Sequence, residues 1–424
     1  MLNFLFKTPE VPNLPKGEVV LGLDIGSTKV VAIAAEVEAG GHLNVIGLGE
    51  VPSGGLRRGI IVDIEHTAQA IAKAVDTAER MAGYRLQRAF VGITGPHIES
   101  INNRGIVAVT GENREIGIED VERVLQAAKI IPLAAERQII HVLPRQYIVD
   151  GYSGIIDPVG MTGSRLEVET HIITAAGAAV QNLVKSVQRA GIEVQELVLN
   201  PLASAEAVLQ PAEKELGAVV VDLGGGTTEI AIVAQGGLWF ASVLPVGGEH
   251  ITSDIAVGLR TPINQAERLK KEWGRVPASA VPDNELFQVP NVGGEGTHTV
   301  SQKMLASIIE PRVEEILSLV RREIGRADFK GLLPGGVVLT GGGALLPGIA
   351  QLAGEILELP VRIGAPSRLG GLADMVASPG YATAVGLVIY AVKHISKAQV
   401  AVSKEGFWGN LWGYFRLWLK ELFQ

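Results

Sequence analysis

A phosphate and its accompanying cation call for backbone N–H groups, hydroxyls and a carboxylate gathered in a tight turn. The run Asp222-Leu-Gly-Gly-Gly-Thr-Thr-Glu229 supplies all three. Glycine reaches φ values closed to other residues and lets backbone approach an anion closely. A carboxylate repels phosphate, so Asp222 suits a hydrated Mg²⁺ instead. The same chemistry recurs in Asp24-Ile-Gly-Ser-Thr-Lys29, and a third glycine turn spans Thr340–Ala344. Ser27, Thr28, Thr227 and Thr228 add hydroxyl donors beside the phosphates. Gly341, Gly342 and Gly343 would let a turn or helix end lie against adenosine and its ribose. One glycine triplet is usually a structural turn; three in order, each after a short β-branched strand, point to a nucleotide. None fits GxxxxGK[ST], and strand-like runs flank the Asp222 turn on both sides, unlike a Rossmann strand–turn–helix.

A second stretch carries membrane chemistry. At 100° per residue, Trp408, Leu411, Trp412, Phe415, Trp418, Leu419 and Leu422 share one face, beside Phe407. Asn410, Lys420 and Glu421 take the other side, and Arg416 lies near the edge. A core helix or coiled-coil seam has this period too. The position beyond a polar linker and the density of large aromatics fit a helix lying in the headgroup layer. Arg416 and Lys420 can snorkel toward anionic lipid phosphates.

Composition narrows the rest. The 424 residues suggest two or more domains, and a net charge of −8 gives no electrostatic reason to bind nucleic acid. With no cysteine there is neither a disulfide framework nor a thiolate site. The sequence holds no run of 18 uncharged apolar residues to span a bilayer, so the body reads as a soluble fold.

Strands 19–23 and 30–35 bracket the first turn, 217–221 and 230–234 the second, and 337–340 leads into the third. A third strand at 43–48 follows a turn near Gly40-Gly41. Ile64, Ala68, Ile71, Val75 and Ala78 predict a helix over 64–82 that stops at Gly83. After strand 88–94, mixed periodicities over 95–162 predict a compact insert: strand 101–109, a helix to about 129, then separate strands 138–142 and 146–149. Strand 166–175, helix 178–190, strand 192–199 and a helix opening at Asn200-Pro201 follow. Helices are expected at 251–259 and 263–273, with a polar stretch over 274–296 and helix again from about 300 to 325. Strand 238–243, helix 349–357, strand 361–363 and helix 382–393 complete the body. Spacings of three and four put Glu267, Lys270 and Lys271 on one helical face.

DIGSTK, DLGGGTTEI, the segment after Gly95, the run from Leu244 to Asp254 and the terminal amphipathic stretch occur in one order. Together they resemble the actin-like ATPase superfamily and, within it, the FtsA family of bacterial cell-division proteins. The resemblance implies a two-lobed, ribonuclease-H-like α/β fold. After a lead-in (1–16), subdomain IA comprises 17–87, 163–198 and 359–393, interrupted by an inserted subdomain IC at 88–162. Subdomain IIA comprises 199–245 and 305–358 around IIB at 246–304, and a linker (394–405) leads to the membrane helix (406–424).

The resemblance makes Asp24 and Asp222 the Mg²⁺-water partners. It makes Gly26, Ser27, Thr28, Lys29, Gly224, Gly225, Gly226 and Thr227 phosphate contacts. Glu267, Lys270, Lys271 and Gly341–Ala344 fall around the adenosine of ATP or ADP. Asn200 stands where many superfamily ATPases orient water with glutamate or glutamine. It can position water but cannot act as a carboxylate base, which implies slow or absent hydrolysis. The implied role is an adaptor on the cytoplasmic face of the inner membrane at the septum. It would polymerise, bind anionic lipids and other division proteins, and hold the C-terminal peptide of the tubulin-like division-ring protein in IIB. The competing readings are a pilus or secretion-system adaptor, a small-molecule kinase and a chaperone-like ATPase.

Overall fold

The structure, a computed structural model, describes residues 17–404 except 39–41, 294–295, 328 and 330. The expected lead-in, the turn at Gly40-Gly41 and the stretch 406–424 therefore lie outside the described residues. Strands β1 (Val19–Ile25), β2 (Lys29–Val37) and β3 (Leu43–Pro52) form an antiparallel meander, followed by the short ribbon β4 (Leu56–Arg57) and β5 (Ile60–Ile61). Helix α1 (Ile64–Ala82) starts where the Asp63 carboxylate accepts from His66 N at 3.0 Å, and it ends at Gly83 with φ 75°. Both signals are local, so the sequence marks both ends. Strand β6 (Arg88–Ile93) returns parallel to β1.

The insert is built from β7 (Glu99–Ala108), α2 (Ile118–Ala128), β8 (Arg137–Val149), β9 (Tyr152–Ile155) and β10 (Arg165–Ala176). They make a separate four-stranded sheet, β7-β10-β8-β9, with its own core around Val124, Tyr147, Leu166 and Val168. Two expectations change here. β6 pairs in the first sheet and β10 in the inserted one, so the boundaries expected at 88 and 162 move to just after β6 and to the end of β10. The strands expected at 138–142 and 146–149 are one strand, because Pro144, which has no N–H for the ladder, is accommodated at a bulge that leaves Arg145 unpaired. Arg145 instead lies over the Trp239 ring, 3.7 Å from its centroid. On its other flank His141 Nε2 accepts a hydrogen bond from Leu199 N at 3.0 Å. The insert therefore touches both lobes.

Helix α3 (Gly177–Arg189) and strand β11 (Glu193–Leu199) complete the first sheet, β11-β6-β1-β2-β3, and α4 (Asn200–Val208) and α5 (Pro211–Leu216) lead out of it. The second sheet begins with β12 (Ala218–Leu223), β13 (Thr228–Ala234) and β14 (Gly237–Leu244). All six residues of β12 are buried, as a central strand covered on both faces requires. Helices α6 (Gly248–Gly258) and α7 (Ile263–Trp273) and the hairpin β15 (Leu286–Pro290) and β16 (Thr297–Ser301) form a small cap. That hairpin falls partly in the stretch read as a polar loop. Only Phe287, Val289 and Val300 face its core, too few to show a period.

Helix α8 (Gln302–Arg326), strand β17 (Val337–Thr340), helix α9 (Ile349–Leu357) and strand β18 (Val361–Ile363) close the second sheet in the order β14-β13-β12-β17-β18. Residues 361–363, expected in the first lobe, thus belong to the second. Strand β19 (Gly370–Gly371) pairs with β3. Helix α10 (Ala382–Lys404) packs on β1 and α4, and it continues as helix through most of the residues read as a linker.

Helices α4 and α10 lie between the sheets and meet backbone to backbone at one point: a Cβ at Gly386 would overlap the Ala203 carbonyl oxygen. Backbone cannot retreat there without separating the helices. Gly386→Ala is therefore expected to cost about 3 kcal/mol of stability. It should lower the urea midpoint at unchanged slope; an unchanged midpoint would show that the crossing yields freely.

Candidate functional site

The two acidic turns meet between the lobes. The β1–β2 turn closes with Gly26 N donating to Lys29 O at 3.0 Å. The β12–β13 register sets Glu229 directly opposite Asp222. A Cβ on Gly225 would overlap the Thr28 methyl, and one on Gly226 would lie 2.5 Å from Ser27 Oγ. Only glycine permits that approach. The start of α6 then grips the second turn, with Gly248 N donating to Gly224 O at 2.9 Å and Glu249 N to Gly225 O at 2.8 Å. In a trans peptide the N–H points opposite to the C=O, so the amides of Gly225 and Gly226 are turned away from α6.

Three carboxyls share this place. Burial, then the neighbouring Asp222, push Asp24 up to about 7, with Lys29 opposing. Burial also raises Asp222, against the hydroxyls of Ser204 (2.6 Å) and Thr383 (3.1 Å) that donate to its Oδ2. Glu229 is raised well above the ordinary range by burial and then by Asp222, and its Oε2 has no hydrogen-bond partner. Ionising Asp24 thus costs stability as pH rises from its ordinary 3.8 to about 7. A cation removes that cost, so the charge pattern fits one. Among the described residues no three His, Asp or Glu side chains converge as direct metal ligands. Two carboxylates at facing strand ends instead suit a hydrated ion held through water.

Lys29, expected on a phosphate, is turned to Glu50 at 2.8 Å and to the face of Tyr381, 3.9 Å from its centroid. Lys270 supports α6, donating to Gly248 O at 2.9 Å and Thr252 Oγ1 at 2.8 Å while pairing with Glu267 at 2.6 Å. Lys271 also pairs with Glu267, at 3.2 Å, but stays exposed and acts electrostatically on Glu50 from the facing lobe. Glu267, Lys270 and Lys271 therefore converge as expected, with Lys270 committed to supporting the start of α6 that grips the second glycine turn. At the third turn Gly341 has φ 81°, and a Cβ there would overlap Asp222 Oδ1. A Cβ on Gly343 would come within 2.8 Å of Leu223 Cβ, whereas one on Gly342 would meet nothing within 4 Å. Ala344 is buried behind this turn.

Asn200 heads α4 with a buried Oδ1 that has no partner, in space that exists because residue 92 is glycine. The sequence reading passed over Glu229 as a site residue, along with Ser204, Thr383, Tyr381 and the Gly247-Gly248 support. The hairpin register could have flagged Glu229, and the i+4 spacing from Asn200 could have flagged Ser204. Thr383 and Tyr381 carry no local signal.

Comparisons with known proteins agree with this architecture. A family model described as "Cell division protein FtsA" matches residues 219–386, and one described as "SHS2 domain inserted in FTSA" matches residues 95–174. The second match coincides with the insert as its sheet defines it. Cell division protein FtsA of Pseudomonas aeruginosa is 44% identical over 381 residues, covering 90% of this chain and 91% of that protein. Among solved structures, the PilM-PilN type IV pilus biogenesis complex aligns with TM-score 0.64 at 19% identity, over 88% of this chain and 98% of that one. MreB5 of Spiroplasma citri bound to ADP aligns with TM-score 0.55 at 15% identity, over 91% and 99%. At those identities the two structures speak to the actin-like fold alone.

Proposed function

The chain belongs to the FtsA family of cell-division proteins, and from that premise we propose that it is an ATP-binding adaptor of the division septum. It polymerises on the cytoplasmic face of the inner membrane and holds the C-terminal peptide of the tubulin-like division-ring protein at the cap formed by α6, α7, β15 and β16. Attachment is peripheral, through residues 406–424; among the described residues no helix is long and apolar enough to cross a membrane.

The observation that carries nucleotide binding is the meeting of two carboxylate-bearing glycine turns, one from each lobe, against a third glycine turn. Asp24 and Asp222 are the residues that would hold the water shell of Mg²⁺. The amides of Gly224–Gly226, with the hydroxyls of Ser27, Thr28 and Thr227, would bind phosphate oxygens beside the turn that Gly26 closes, and Lys29 would add positive charge there. Gly341–Ala344 and the α7 side chains Glu267, Lys270 and Lys271 border the adenosine. When bound, Mg²⁺ neutralises phosphate charge. Asn200 offers a hydrogen bond to water without the basicity of a carboxylate, so turnover is slow and the nucleotide acts chiefly as a bridge between lobes.

The deciding experiment places the full-length protein on an anionic lipid layer with Mg-ATP and a labelled peptide carrying the division-ring protein's C-terminus. Protofilaments that recruit the peptide are the expected result. Failure of recruitment at saturating peptide would overturn the tether, and failure to form filaments would overturn the polymer.

A further inference from the structure

Where α4 and α10 cross, three buried oxygens form a triangle. Ser204 Oγ lies 2.6 Å from Asp222 Oδ2, Thr383 Oγ1 lies 3.1 Å from the same atom, and the two hydroxyls are 2.9 Å apart. Ser204 is fully buried and the other two nearly so. With Asp222 ionised, two hydroxyl protons serve three edges. The shortest edge takes the Ser204 proton, because hydroxyl-to-carboxylate bonds are the short, strong ones. Thr383's single proton is then left with two acceptors, the Asp222 carboxylate and Ser204 Oγ. The other carboxylate oxygen, Oδ1, lies beside Gly341, where it leaves no room for a side chain.

We propose that Ser204 and Thr383 are positioning residues for cation-bound nucleotide. One from each interlobe helix, they pin Asp222 Oδ2 so that Oδ1 is presented to the water shell of the cation. The inference rests on the reading of Asp222 as the cation's partner. It deepens that reading by making the metal-dependent part of nucleotide affinity a property of the helix crossing. Thr383 is the second residue of α10, so only the Asp222 carboxylate stands between the helix crossing and the cation's water shell.

The test measures affinity for a fluorescent ATP analogue in Mg²⁺ and in chelator, using the full-length protein and its Ser204→Ala, Thr383→Val, Thr383→Ser and Asp222→Asn variants. Thr383→Val is nearly isosteric, which guards against loss through misfolding. Ser204→Ala and Thr383→Val should each weaken binding in Mg²⁺ about tenfold, the scale of one lost charge-assisted hydrogen bond. Both should leave binding in chelator unchanged, and Thr383→Ser should behave as the parent. If Asp222→Asn loses the Mg²⁺ dependence while Ser204→Ala and Thr383→Val keep it, the positioning role fails and the Asp222 reading stands. Equal losses in Mg²⁺ and chelator would reduce the hydroxyls to packing and overturn the proposal. Retained Mg²⁺ dependence in Asp222→Asn would overturn both readings.

Discussion

Removing residues 406–424 is expected to shift the protein from the pellet to the supernatant when it is centrifuged with anionic liposomes, with partitioning reduced at least about tenfold. At 100° per residue the segment's sequence would place Trp408, Leu411, Trp412, Phe415, Trp418, Leu419 and Leu422 on one helical face, and its charged side chains are Arg416, Lys420 and Glu421. With so small a net charge, insertion of apolar surface is the expected driving force rather than attraction to lipid headgroups. Trp412→Glu should therefore act much like the truncation, whereas raising salt to about 0.5 M, where screening is nearly complete over a few ångströms, should release little protein. The truncation leaves every described residue in place, so nucleotide affinity serves as the control for folding. Undiminished sedimentation of the truncated protein would remove the segment as the principal anchor.

Asp222→Asn is expected to weaken Mg-ATP binding by about two orders of magnitude, from the loss of one full charge and one oxygen facing a hydrated divalent ion in a poorly solvated site. The nucleotide-free protein should respond in the opposite sense. Asp222 contributes to holding Asp24 up at about 7, and it also raises Glu229. Removing its charge lets Asp24 ionise at lower pH, so it relieves the destabilisation that grows as pH rises from 3.8 toward 7. At pH 8 the variant should melt no lower than the parent without ligand, yet gain far less from saturating Mg-ATP. Equal nucleotide affinity in the two proteins would sink the assignment.

What the sequence discloses about this chain follows the range of each interaction. Helix α1 was readable end to end because its cap, its period and Gly83 all lie within twenty-one residues, Asp63 to Gly83. The three glycine turns were readable because each is a strand, a turn and a carboxylate or hydroxyl in immediate succession. Partners chosen across the fold were hidden. β10 reads as a strand from its own residues, but only its pairing with β7 and β8 places it in the insert. Pro144 signals an interruption, while the bulge that keeps β8 whole accompanies a contact between Arg145 and Trp239, far along the chain. Lys29 has the right type and place for a phosphate, and Glu50 with Tyr381 decides where its ammonium rests. Ser204 and Thr383, 179 positions apart, share an oxygen that no window of sequence could reveal.

The bare backbone contact at Gly386 has a mechanical consequence. Backbone meets backbone at that point, so any tilt of α10 on α4 would have its fulcrum at Ala203. From Gly386 to Lys404 the arm is about 27 Å long at the rise of an α-helix. Each degree of tilt at the fulcrum therefore sweeps the far end through roughly 0.5 Å, and a tilt of a few degrees becomes a stroke on the order of a bond length or two. The short side of α10 from Gly386 carries Thr383, bonded to Asp222 at the second glycine turn, and the long side ends at Lys404. A small angular change at the glycine turns would thereby be enlarged at the far end of α10.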